Sequence, residues 1–214
     1  MPKPRIAPYG SWKSPITSDL IVSGTVGLSQ PLIDGPDIYW VEMRPTEGGR
    51  GVIVKRNVRG VINDVIPPPF NARTRVHEYG GGDYAVRGGS VYFSNFSDQR
   101  LYLHKDDAAA RAIAPIADIR YADAIIDEQG RRLICVREDH TASGREPVNT
   151  LASLNLEDND IPGQVLVSGN DFYASPRLSQ DGSQLAWLTW NHPNMPWDGT
   201  ELWTGKFSED GQLE

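Results

Sequence analysis

The sequence predicts an all-β chain, a partial β-propeller of about four blades of short antiparallel strands. Three observations lead there. An apolar or aromatic strand marker recurs at Ile38-Tyr39-Trp40, Val91-Tyr92-Phe93, Leu133-Ile134-Cys135 and Leu185-Ala186-Trp187, at intervals of roughly 40 to 55 residues, the period of four-stranded blades. Each marker after the first follows a turn, at Gly88-Gly89, Asp127-Glu128-Gln129-Gly130 and Asp181-Gly182, and each of the four precedes a further strand candidate: Val52-Ile53-Val54, Leu101-Tyr102-Leu103, Thr150 to Leu154 and Glu201-Leu202-Trp203. No window sustains a helical period; the segment Lys105 to Arg111 could form one helical turn but has no apolar stripe. Four such repeats favour a ring of blades over a sandwich.

In chain order, residues 1–19 read as an irregular lead-in rich in Pro, Ser and Thr, and residues 20–214 as blades, starting near Leu20-Ile21-Val22. Pro67-Pro68-Pro69 cannot sit in a central strand and reads as a stiff connector between the first and second blades. Longer loops fall at Asp139 to Pro147, Glu157 to Gly163 and Asn191 to Gly199, where propellers carry specificity. The segment Thr204 to Glu214 stops just after a turn signal, so the last blade reads as incomplete. Either the sequence is a fragment of a longer protein or an N-terminal segment closes the ring. An open blade edge would invite self-association.

Composition limits the function classes. With 214 residues and 39% hydrophobic content, the chain can bury a sizeable core, and its 21 Gly and 16 Pro punctuate many short strands. The net charge of −7 and the scattered Lys and Arg disfavour a nucleic-acid partner. There is no long apolar run, and Met1-Pro2-Lys3-Pro4-Arg5 lacks a secretory core, so the expectation is a cytoplasmic protein with no membrane partner. Cys135, the single cysteine, has no partner for an internal disulfide and reads as a small buried hydrophobe in a reducing compartment.

Longer words narrow the reading. Arg73-Thr74-Arg75-Val76-His77-Glu78-Tyr79-Gly80-Gly81-Gly82, followed by Val91 to Tyr102, resembles the propeller of prolyl oligopeptidase family serine peptidases, in the branch of dipeptidyl aminopeptidases and acylaminoacyl peptidases. Tyr39 to Arg50 and Trp190 to Trp203 look like the same branch, and the resemblance covers roughly Pro15 to Trp203. It implies an N-terminal propeller joined to a C-terminal α/β-hydrolase domain with a Ser, Asp and His triad, more blades than four, and a propeller that covers the active site, filters substrates by size and helps position the peptide. The sequence holds no such hydrolase domain. The nearest approach to a Gly-x-Ser-x-Gly elbow is Gly88-Gly89-Ser90-Val91-Tyr92, where Tyr92 replaces a glycine and a strand follows. No catalytic residue is therefore assigned, and the parent protein would be the hydrolase.

The most site-like cluster is Arg75, His77, Glu78 and Tyr79 before three glycines. Bare glycine backbone admits a ligand or strand, while Arg and Glu can engage the carboxylate or amine of a peptide end. The competing reading is that the glycines relieve crowding at an inner strand and the polar residues cap blade edges. His77, His104, His140 and His192 lack metal-ligand spacing, and Glu157-Asp158-Asn159-Asp160 does not fit a calcium loop, so neither metal nor cofactor is expected. Trp187, Trp190, Trp197 and Trp203 could form an aromatic surface, although alternation assigns at least half of them to the core. The favoured function is the non-catalytic propeller of such a serine peptidase, with the hydrolase domain and a peptide substrate as partners. The alternative is a stand-alone propeller that acts as a protein- or ligand-binding scaffold. A carboxylate-based glycosidase is weaker, because no acid pair stands out from turn residues.

Overall fold

A computed structural model describes residues 6–105, 108–129, 131–156, 161–208 and 210–214. The acidic run Glu157-Asp158-Asn159-Asp160, Gly130 and two residues of the Lys105 to Arg111 segment lie outside the described residues. Each marker strand is the second strand of its own antiparallel meander. The first sheet runs β1 (Gly27–Asp34), β2 (Asp37–Arg44), β3 (Arg50–Arg56), β4 (Ile62–Asp64). The second is β5 (Tyr84–Arg87), β6 (Ser90–Ser94), β7 (Leu101–Lys105), β8 (Arg111–Ala112). The third is β9 (Ile119–Asp127), β10 (Arg132–Asp139), β11 (Val148–Asn155), β12 (Gln164–Val167), and the fourth is β13 (Phe172–Leu178), β14 (Gln184–Trp190), β15 (Glu201–Lys206). The first strands contact one another in sequence, β1 with β5, β5 with β9 and β9 with β13, so they line the axis of a four-blade arrangement.

Strand alternation builds the core between blades. Val91 and Phe93 face the first blade, packing with Tyr39, Val41 and Ile53, whereas Tyr92 between them faces the third blade with Leu133 and Cys135. On β10 the intervening Ile134 and Val136 turn the other way and meet Tyr173, Leu185 and Trp187 of the fourth blade. Burial pushes the Cys135 thiol up, so it stays protonated. Trp187 and Trp190 are core residues, while Trp197 and Trp203 are exposed. At Gly88 and Gly89 both φ angles are positive, as the two-residue hairpin between β5 and β6 requires.

One expectation needs correction. Leu20-Ile21-Val22 is not blade material but part of a short helix, α1 (Ser18–Val22), and the first strand begins at Gly27. Thr17 is the N-cap, its Oγ1 accepting from Leu20 N–H at 3.1 Å, and Asp19 lies in the first turn. This capping chemistry prevails over the strand preference of the Ile and Val that follow.

The inner strands are joined by a belt of side-chain hydrogen bonds. In β1, β9 and β13 one extra residue is inserted against the second strand, with Gln30, Asp123 and Ser175 at φ of 52°, 54° and 53°. Gln30 donates through Nε2 to Asp83 Oδ2 (2.6 Å) and accepts from Asp83 N–H (2.7 Å), coupling blades one and two. Asp123 accepts from Gly82 N–H through Oδ1 and from Ser175 N–H through Oδ2 (2.7 Å), coupling blade three to both neighbours. Because the strands alternate in direction, the connectors between blades emerge on the same face as the loops between second and third strands. The segment 65–83 and the loop 191–200 therefore share one face.

Candidate functional site

The connector from the first to the second blade is pinned before it reaches the site. Ala72 N–H donates to Gly51 O, Arg73 N–H to Ser94 O and Thr74 N–H to Asp83 Oδ1. The chain then makes a tight turn in which His77 (φ 56°) and Glu78 (φ 64°) are both left-handed. Each costs about 1–2 kcal/mol for an L-residue, so the surroundings must hold them. They are held by Gln99 Oε1, which accepts from Arg75 N–H at 2.7 Å, and by Glu138 Oε2, which accepts from His77 N–H at 2.6 Å.

Glu138, on β10, is the hub. Its side chain is 2% exposed, and its Oε1 lies 3.2 Å from Arg120 Nη1 and 2.6 Å from His140 Nε2. Arg120, its cross-strand neighbour on β9, also donates Nη1 to Arg75 O (2.8 Å) and to Glu78 Oε1 (2.6 Å). That guanidinium holds the Glu78 carboxyl below the usual range, so Glu78 is anionic at neutral pH while remaining 76% exposed. Arg73 and Arg75 lie over the Phe96 ring, at 5.0 and 5.7 Å from its centroid.

His77 turns away from this charged rim. Its ring lies 5.7 Å from Tyr79, 5.2 Å from Phe172 and 5.5 Å from Trp190, and Phe172 stacks on Trp190 at 5.3 Å. Burial depresses the imidazole pKa and favours the neutral ring. The four sequence-predicted residues thus share one turn but diverge: Arg75 and Glu78 outward, His77 inward, Tyr79 partly exposed beside it. Arg120, Glu138 and His140 escape a sequence reading because they act from another blade. One signal was available: Arg120 and Glu138 sit nearly equidistant from the Asp127–Gly130 turn, where hairpin pairing brings opposite charges together.

The glycines after the turn have a packing reason. A Cβ on Gly81 would lie 3.0 Å from Ala122 Cβ, and one on Gly82 would lie 2.8 Å from Asp123 Oδ1, so β9 approaches bare backbone. Beside them opens a cavity of about 340 Å³ between this strip, β13, Trp190 and the loop carrying Pro196 and Thr200. Among the described residues no group of three or more His, Cys, Asp or Glu side chains is placed to hold a metal ion. None of their helices is long and apolar enough to cross a membrane.

Four radial meanders with a strained, charge-held turn on one face define a β-propeller portion with a candidate ligand site. Among solved structures, puromycin hydrolase is similar at a TM-score of 0.87 and 34% identity, over 97% of this chain and 34% of its own. A puromycin-hydrolyzing peptidase of Mycobacterium tuberculosis matches at a TM-score of 0.84 and 37% identity over the same shares. An acylaminoacyl peptidase of Pyrococcus horikoshii matches in fold alone, at a TM-score of 0.56 and 12% identity over 90% of this chain and 32% of that one. No family model and no curated protein sequence matches. Fold and sequence together place the chain with the propeller portions of prolyl oligopeptidase family peptidases. It spans about a third of the length of the peptidases it matches, 34% in the first two.

Proposed function

We propose that the chain is the propeller part of a prolyl oligopeptidase-type serine peptidase, which covers the active site of a hydrolase domain, limits access by size and positions peptide substrates. The observation that carries this reading is the 37% identity to a puromycin-hydrolyzing peptidase across 97% of the chain. The turn at Arg75, His77, Glu78 and Tyr79 is the place where positioning would occur. Glu78 is an exposed carboxylate with Oε1 fixed by Arg120, and its Oε2 has no partner among the described residues. A substrate ammonium group would meet a carboxylate whose orientation is already set, so little ordering is required on binding.

Puromycin, an aminoacyl amide with a free amine, is the first substrate to test on the full-length gene product. Glu78→Gln keeps the side chain's shape and removes its charge. It is expected to lower kcat/KM by about tenfold or more, the value of one hydrogen bond to a charged group. Unchanged kcat/KM would remove Glu78 from substrate positioning. Rapid turnover of an aminoacyl reporter by the 214-residue chain alone would overturn the assignment of chemistry to another domain.

A further inference from the structure

The loop between β14 and β15 holds an indole out into solvent. Trp197 is 77% exposed, whereas Trp187 and Trp190, on the strand that leads into the loop, are buried. Its Nε1–H has no partner among the described residues, while Trp12, Trp40 and Trp203 donate to Ala7 O, Glu42 Oε1 and Glu201 Oε2. The loop is not loose. Asp198 accepts from Met195 N–H through Oδ2 (3.0 Å) and returns its own N–H to Met195 O (2.9 Å), so Pro196 and Trp197 are clamped between them. The Thr200 hydroxyl donates to Pro196 O, and Asn194 N–H donates to Asn191 O at 3.0 Å. At the root of the loop, Asp171 N–H donates to Asn191 Oδ1 (2.7 Å) and Asp171 Oδ2 accepts from His192 N–H (2.8 Å).

An aromatic side chain on a framework already ordered loses little freedom when a partner buries it, which is the property of an interface anchor. A second copy of the chain is a poor occupant. Pairing about a two-fold axis would set the protruding loop against its equal, and a knob does not complement a knob. The partner must be concave and apolar, with a hydrogen-bond acceptor at its rim for the indole N–H. The peptidases that match this chain extend well beyond it, since it covers 34% of each of the first two. The loop also adjoins the Glu78 turn, because Pro196 and Thr200 line the same cavity as Tyr79 and Gly80.

We propose that Trp197 is the anchor by which this propeller holds the hydrolase domain of a longer gene product, its indole seated in an apolar socket of that domain. The inference rests on the reading of the chain as the propeller of such a peptidase, and it adds the residue that makes the contact. A single well-packed indole with near-neutral surroundings is how binding energy is distributed at interfaces, so truncating this one side chain should loosen the domains.

The test compares hydroxyl-radical labelling of Trp197 in the 214-residue chain and in the full-length gene product, read by mass spectrometry. Labelling should be about fivefold slower or more in the full-length protein, as a largely exposed indole becomes the centre of an interface. Replacing Trp197 by the photo-cross-linker p-benzoylphenylalanine should join position 197 to the domain that carries the reactive serine. In the full-length protein, Trp197→Ala should speed proteolytic cleavage between the domains by about tenfold, and Trp197→Phe should restore most of the protection. Equal labelling in the two forms, a cross-link confined to propeller blades, or Trp197→Ala cleaved no faster than wild type would each overturn the anchor. Those results would leave the peptidase reading intact if the full-length protein still hydrolyses puromycin. A gene product with no domain beyond the propeller would remove both.

Discussion

Replacing Asp123 by alanine should loosen the axis of the blade arrangement more than its partial exposure suggests. Its carboxylate is the only side chain among the described residues that accepts backbone N–H groups from both neighbouring blades, Gly82 on one side and Ser175 at 2.7 Å on the other. Hydrogen bonds to a charged acceptor contribute about 1.5–3 kcal/mol each, and an alanine in the left-handed conformation of residue 123 (φ 54°) costs about 1–2 kcal/mol more. Two cavities border Asp123, so water can reach part of the site and replace some of what is lost. The expected destabilisation is therefore about 2–4 kcal/mol, below the sum of the parts. Asp123→Asn keeps one acceptor oxygen and tolerates the backbone conformation, and should cost about half as much. Urea unfolding followed by tryptophan fluorescence and circular dichroism gives both values. A loss below about 0.5 kcal/mol for Asp123→Ala, the level of an ordinary surface change, would refute the belt as a stabilising element.

Glu138→Gln removes the buried charge that holds the turn and frees Arg120, so the His77 amide should exchange with deuterium much faster while distant β6 amides are unaffected. Leu133→Ala, in the core between the second and third blades, should cost about 2–5 kcal/mol, against less than about 0.5 kcal/mol for exposed Leu202→Ala, both read from chemical denaturation. His77 supplies a pH signature. Its folded-state pKa is depressed by burial, so the unfolded chain binds the proton more readily, and stability falls as pH drops below about 6.5 toward the folded pKa. His77→Asn, which tolerates the left-handed backbone, should flatten that part of the stability profile relative to the wild type; an identical slope would show that the ring is not buried in the neutral form.

The blade repeat was legible because it rests on local signals: an apolar run with period two, then a turn whose glycines accept positive φ. Even the division of the core could be read that way, since Val91 and Phe93 alternate with Tyr92 and must face different neighbours. The start of the first blade was misread because Leu20-Ile21-Val22 has strand composition, and only the Thr17 cap and Asp19 mark it as a helical turn. In the site, the sequence marked the turn but not what holds it. Glu138 reaches His77 N–H across 61 residues, and Asp123 reaches Gly82 across 41. Contacts of that range depend on the order of blades about the axis, which no local pattern encodes. The glycine strip was ambiguous for the same reason: whether its bare backbone serves a ligand or the neighbouring strand is decided by Ala122 and Asp123 on another blade.

The most direct test of the central proposal is to characterise the native gene product by intact mass and by labelling with a serine-directed fluorophosphonate. A product far longer than 214 residues, labelled on a serine outside this sequence while the 214-residue chain alone stays unlabelled, is the expected result. A native product that ends at Glu214 and takes no label would contradict the proposal that this propeller serves a peptidase domain in the same chain.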